Sequence, residues 1–153
     1  MRTLLLILLA APGIASAQAY VGAAIGEAKL DERNDTAVKV FGGYQFNPGF
    51  AIEGGYHDLG KVGSASVTAF DLSFVGSWEL GNRFALLGRI GAYRADTSGA
   101  GTNLGPLFGL GASYELTRNA SFRLEWQRYD KLGPDTVLAL DIDVLSLGAL
   151  YRF

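Results

Sequence analysis

The sequence predicts an all-β fold, an eight-stranded antiparallel up-and-down transmembrane β-barrel. Three observations predict it. Apolar and polar side chains alternate with period two through eight successive runs of about ten residues or slightly more, the signature of strands with one apolar face. The links between runs alternate between tight turns and longer polar stretches. Within the runs, 40 positions of one parity, from Ala19 to Phe153, carry no charged residue.

The elements follow in order. Residues 1–17 read as a secretory signal: Arg2 gives a positive start, Leu4 to Ala11 is an apolar run too short to span a bilayer as a helix, and Ala15-Ser16-Ala17 is a small-x-small cleavage site. Cleavage after about Ala17 leaves a single barrel domain, residues 18–153. Its strand runs are 19–28, 36–46, 49–59, 66–80, 83–95, 104–117, 120–130 and 138–153. Each is long enough for a tilted transmembrane strand, which needs ~9–11 residues. Asn47-Pro48, Gly81-Asn82 and Arg118-Asn119 are turn-forming pairs that supply three short links. Lys29 to Asp35, Gly60 to Ala65, Asp96 to Asn103 and Lys131 to Val137 supply four longer ones.

Alternation by itself does not fix which face is outside, since a soluble lipocalin-like barrel has the same two faces inverted. Three features place the apolar parity outward. Aromatic residues gather at its turn end (Tyr44, Phe46, Phe50, Trp78, Phe84, Tyr114, Phe122, Tyr151 and Phe153), as in an interfacial girdle. The opposite parity is rich in glycine and serine, which suits the narrow bore of eight strands. The last strand run ends on an aromatic, Phe153. Closure of the sheet would satisfy every backbone amide without water, as hydrocarbon demands.

Composition removes several chemistries. The 153 residues carry 13 basic and 15 acidic side chains, so no basic footprint points to nucleic acid. Cysteine is absent, which excludes disulfides, thiolate metal sites and a cysteine nucleophile. With one histidine, His57, no multi-histidine metal centre can form. No cofactor is expected.

The segments Gly49-Phe50-Ala51-Ile52-Glu53-Gly54-Gly55-Tyr56, Arg123-Leu124-Glu125-Trp126-Gln127 and Leu145 to Phe153, taken in order, resemble the transmembrane domain of the outer-membrane protein A family and its small relatives, such as the attachment and opacity proteins. The resemblance covers essentially all of residues 18–153. It implies a bacterial outer-membrane location in contact with lipid and lipopolysaccharide. It also implies that Tyr151 and Phe153 form the assembly signal read by the barrel-assembly machinery. Larger members continue into a soluble peptidoglycan-binding domain. This sequence ends with the barrel, so tethering through such a domain is not expected.

Candidate sites lie on the inward parity. Lys39, Glu53, Asp71, Arg89, Arg123 and Glu125 form a lumen polar network of both signs, since buried charges need partners. The family likewise carries Glu and Arg inside the barrel. A paired interior plug is the first reading and a narrow pore gated by these charges the second. His57, with Asp58, Ser64 and Ser66, could in principle form a hydrolytic set of the kind found in lipid A-modifying enzymes. Adjacent strand residues point to opposite faces, however, so Asp58 is badly placed to orient His57. At the loop end, acids including Asp31, Glu32, Asp35, Asp58, Asp96, Asp130, Asp135, Asp141 and Asp143 outnumber the bases Lys29, Arg33, Lys61, Arg94 and Lys131. They read as a solvated rim, or as oxygen ligands for divalent cations bridging to lipopolysaccharide phosphate. The expectation is a non-enzymatic outer-membrane barrel with a structural, envelope-integrity or surface-interaction role.

Overall fold

A computed structural model describes residues 18–30, 33–62, 65–98, 101–130 and 141–153, with Leu30, Arg33, Lys61, Val62 and Ala65 described by backbone only. The signal segment 1–17 and Asp31, Glu32, Ser64, Lys131 and Asp135 lie outside the described residues. Eight antiparallel strands run in chain order: β1 Gln18–Leu30, β2 Arg33–Asn47, β3 Phe50–Val62, β4 Ala65–Gly81, β5 Phe84–Thr97, β6 Gly101–Glu115, β7 Ala120–Tyr129 and β8 Ile142–Arg152. Each pairs with its neighbours, and β1 pairs with β8 from Tyr20↔Arg152 to Lys29↔Asp143, closing the barrel.

The outward face is the apolar parity. Leu72 is 59% exposed and Leu147 57%, whereas Glu53 and Asp71 on the other face are fully buried. An Arg or Lys at the midplane of that outer wall would cost about 2–4 kcal/mol. Its lack of charge is the result. The aromatic residues at the turn end project from the wall, with Tyr44 against Phe46, Phe84 against Tyr114 and Tyr151 against Phe153.

The turn end is built from side-chain and backbone turn chemistry. Gly49 N–H donates to Asn47 Oδ1 (2.8 Å), and Ala120 N–H to Thr117 Oγ1 (3.0 Å). The β4–β5 turn has Asn82 and Arg83 both at positive φ, 53° and 69°, the two-residue hairpin conformation that matches strand twist.

The loop end differs from the sequence reading. β1 runs to Leu30 and β2 begins at Arg33, while β3 runs to Val62 and β4 begins at Ala65. β5 and β6 stay paired to Thr97↔Gly101. Three of the four longer polar links are thus mainly hairpin stems. The period-two rule marks strands only where one face is apolar. Above the lipid both faces meet water, so the alternation disappears while the backbone ladder continues. Among the described residues β7 ends at Tyr129 and β8 runs from Ile142, and residues 138–140 of the last run read from the sequence lie outside the described residues.

Candidate functional site: a layered lumen

The bore is filled in three layers. The middle layer contains the six charged residues of the sequence reading: Lys39 on β2, Glu53 on β3, Asp71 on β4, Arg89 on β5, and Arg123 and Glu125 on β7. All are at most 8% exposed. Glu53 is the hub. It accepts from Lys39 Nζ (3.3 Å), Arg123 Nη1 (2.7 Å), Arg89 and the Tyr20 hydroxyl (2.9 Å). Glu125 accepts from Arg89 Nη2 (3.2 Å) and from Gln127 Nε2, with Lys39 and Arg123 each 3.8 Å away. Arg89 Nη1 lies 3.7 Å from Asp71, which also accepts from Ser73 Oγ (3.0 Å). Three cations meet three carboxylates, so the layer is neutral if His57 is neutral.

Aromatic rings cap this layer on the turn side. Lys39 Nζ stands 5.1 Å from the Phe41 ring centre, and the Arg123 guanidinium 5.2 Å from Phe41 and 5.9 Å from Tyr20. Desolvated cations gain from such ring faces. Tyr20 and Phe41 join Ala51, Val75, Leu87 and Leu150 in an apolar layer across the bore. On the loop side, Leu59, Val67, Leu107, Tyr93, Tyr129 and Val144 belong to a second apolar layer. Tyr93 and Tyr129 meet edge to face at 5.0 Å.

Glycines on the inward parity make room for these side chains. A Cβ on Gly43 would sit 2.4 Å from the Tyr20 ring, and one on Gly55 would sit 2.8 Å from Asp71 Oδ2. The small residues of the polar face are therefore the spaces into which the large ones fold.

His57 lies inside this filling, 2% exposed. Its ring meets Asp71 through Nε2 and the Tyr129 hydroxyl at 2.9 Å from Nδ1. Asp58 faces outward, exposed, with its carboxylate on Gly60 N–H (3.0 Å). Ser66 sits above the lumen in β4, beside Thr97 and Ser98. The side chains that serve His57 are thus Asp71, Tyr129 and, through Tyr129, Gln127. Sequence reasoning did not single out Tyr20, Gln127 or Tyr129. The available signal was their inward parity, where a tyrosine or glutamine has to find a polar partner.

The rim acids are engaged locally. Asp35 accepts from Thr36 N–H (2.8 Å) and Asp96 from Thr102 Oγ1 (2.6 Å), while Asp143 is gripped by both ends of Arg128, at 2.8 and 3.1 Å. Among the described residues no group of three or more acidic or histidine side chains converges as a metal site. Tyr151 and Phe153 lie at the turn end of the closing seam, where Phe153 N–H donates to Ala19 O (3.0 Å).

Comparison with known proteins places this architecture. The family model described as OmpA-like transmembrane domain matches residues 13–153. Outer membrane protein A of Klebsiella pneumoniae is 31% identical over 145 residues, covering 79% of this chain and 42% of that protein. The chain thus spans about two fifths of the length of that relative. Among solved structures, Neisserial surface protein A superimposes with a TM-score of 0.64 at 19% identity, over 90% of this chain and 97% of that one. The outer-membrane enzyme PagL superimposes with a TM-score of 0.62 at 16% identity, over 86% and 97%. At those identities the two structures share the fold alone. The chain belongs to the OmpA-like transmembrane family and is a small eight-stranded outer-membrane barrel.

Proposed function

We propose that this barrel is a plugged, non-conducting, non-enzymatic element of the Gram-negative outer membrane that serves envelope integrity. The observation that carries the proposal is the sequence of layers in the bore, a neutral charge network enclosed between two apolar layers. Ions would have to cross both apolar layers and compete with charges already paired. Burying a charge without a partner costs several kcal/mol, which opposes that path.

In this reading the termini and short turns face the periplasm and the hairpin stems face outward, the usual sense for such barrels. The signal segment is removed after about Ala17. The wall contacts lipid and lipopolysaccharide, and Tyr151 and Phe153 guide the last strand during assembly. The pore reading would require rearrangement of the network and removal of at least one apolar layer. The lipid A-modifying reading would require a substrate to reach His57, which lies beneath Tyr129 inside the bore.

Planar-bilayer recording tests the proposal. The purified protein should give no reproducible unitary conductance. Regular steps that change in Glu53→Ala or Arg89→Ala would establish the gated pore instead. In a deletion strain, lipid A acylation should be unchanged while sensitivity to detergents and bulky antibiotics rises. A lipid A species that disappears on deletion and on His57→Ala would reject the non-enzymatic role. N-terminal sequencing of the membrane-extracted protein should begin at or near Gln18.

A further inference from the structure

The turn end of the barrel is not filled. Below the Tyr20–Phe41 layer lies an open cavity of about 200 Å³. Its floor is apolar, formed by Ala51, Val75, Leu87 and Leu150 of that layer. Its rim carries charges that alternate in sign along the strand order: Glu79 on β4, Arg83 in the β4–β5 turn, Glu115 at the end of β6 and Arg152 at the end of β8. Glu115 sits between two arginines, with its N–H on Arg83 O (2.9 Å) and its carboxylate 3.8 Å from Arg152 Nη1.

Arg123 lines this cavity above the rim, with Nη1 held by Glu53. One further feature marks it. Arg83 holds φ at 69°, a conformation that glycine adopts more readily at that turn position. The chain thus keeps an unfavourable residue in the turn, and that residue carries one of the rim charges.

An alternating rim repels a simple anion at each carboxylate and a simple cation at each guanidinium. It complements a molecule that carries both charges a short distance apart. We propose that the turn-end cavity binds a free α-amino acid with an apolar side chain of leucine or phenylalanine size. The carboxylate meets Arg83 or Arg152, the ammonium meets Glu79 or Glu115, and the side chain lies on the apolar floor. The volume suits this, since a 150 Å³ apolar cavity holds benzene.

The test is an NMR titration of the protein, purified from membranes and held in lipid nanodiscs, with L-phenylalanine. A saturable response is expected with Kd on the order of 1 mM, as befits a small ligand with few contacts, and the shifts should centre on Ser77, Ala85 and Ser113. Phenylalaninamide, N-acetylphenylalanine and N-acetylphenylalaninamide, which lack one or both charges, should each bind at least about fivefold more weakly, a loss of about 1 kcal/mol. Arg83→Gly eases the turn and so preserves the fold, and it should weaken binding about threefold, as expected for one exposed charge. Ala85→Trp fills the cavity and should abolish the response. Equal binding of the uncharged analogue would reduce the site to an apolar cleft and overturn the assignment. Absence of saturation, or an unchanged response in Ala85→Trp, would overturn it as well. None of these outcomes depends on whether the bore conducts.

Discussion

The outer wall and the lumen are made by the same eight strands, one parity each, yet they are specified in different ways. The wall needs apolar residues of almost any shape, because lipid tails conform to whatever they meet. The lumen needs particular residues at particular heights, because six charges, each at most 8% exposed, must find their partners in one another. One face is selected by solvent and the other by partners.

Substitutions can break or sharpen this contrast. The largest effect is expected for Glu53→Ala, which strands Lys39, Arg89 and Arg123 together. Loss of one partner from a buried pair costs roughly 3–5 kcal/mol, measurable by urea unfolding in lipid vesicles. Adding Arg89→Ala to it should recover part of that loss, since the two residues act as one unit. On the wall, Leu72→Arg should cost about 2–4 kcal/mol, whereas Leu72→Met should cost under about 1.5 kcal/mol. If Leu72→Arg were neutral, the assignment of this face to lipid would be wrong.

Glycines give the finer comparison. A Cβ on Gly26, inside the bore, would meet Leu145 O at 2.0 Å, while one on Gly88, on the wall, would meet nothing within 4 Å. Gly26→Ala should therefore destabilise by about 1–3 kcal/mol through overpacking. Gly88→Ala should be neutral or stabilise by up to about 1 kcal/mol. Equal effects in the same unfolding assay would remove the distinction between the two faces. The smallest effect is expected for Arg128→Ala, which breaks an exposed pair with Asp143 and should leave the unfolding midpoint nearly unchanged.

The same contrast explains what could be read in advance. Strand number, parity and the charge-free wall were legible because hydrocarbon imposes a rule on each residue separately. The inward height of Lys39, Glu53, Asp71, Arg89, Arg123 and Glu125 follows from parity too, but their pairing does not. Arg123 reaches Glu53 across a sequence separation of 70 residues, and only the register of the closed sheet brings them together. The two apolar layers were missed because Phe41, Val75, Leu87, Leu107 and Leu150 occupy the parity otherwise given to polar and small residues. They are visible as places where alternation fails and neighbours such as Leu86-Leu87 and Leu150-Tyr151 are apolar on both faces. The stems above the lipid were read as loops for the reason already given, that water on both sides erases the pattern.

The seam between β1 and β8 joins the N-terminal strand to the C-terminal one. A cylinder latched in this way has no stable fraction. With seven strands in place, two rows of peptide groups still lack partners, and oil supplies none. Entry into the bilayer and the final zipping of Ile142–Arg152 must therefore occur as one event, or some other surface must lend the unfinished sheet a temporary border.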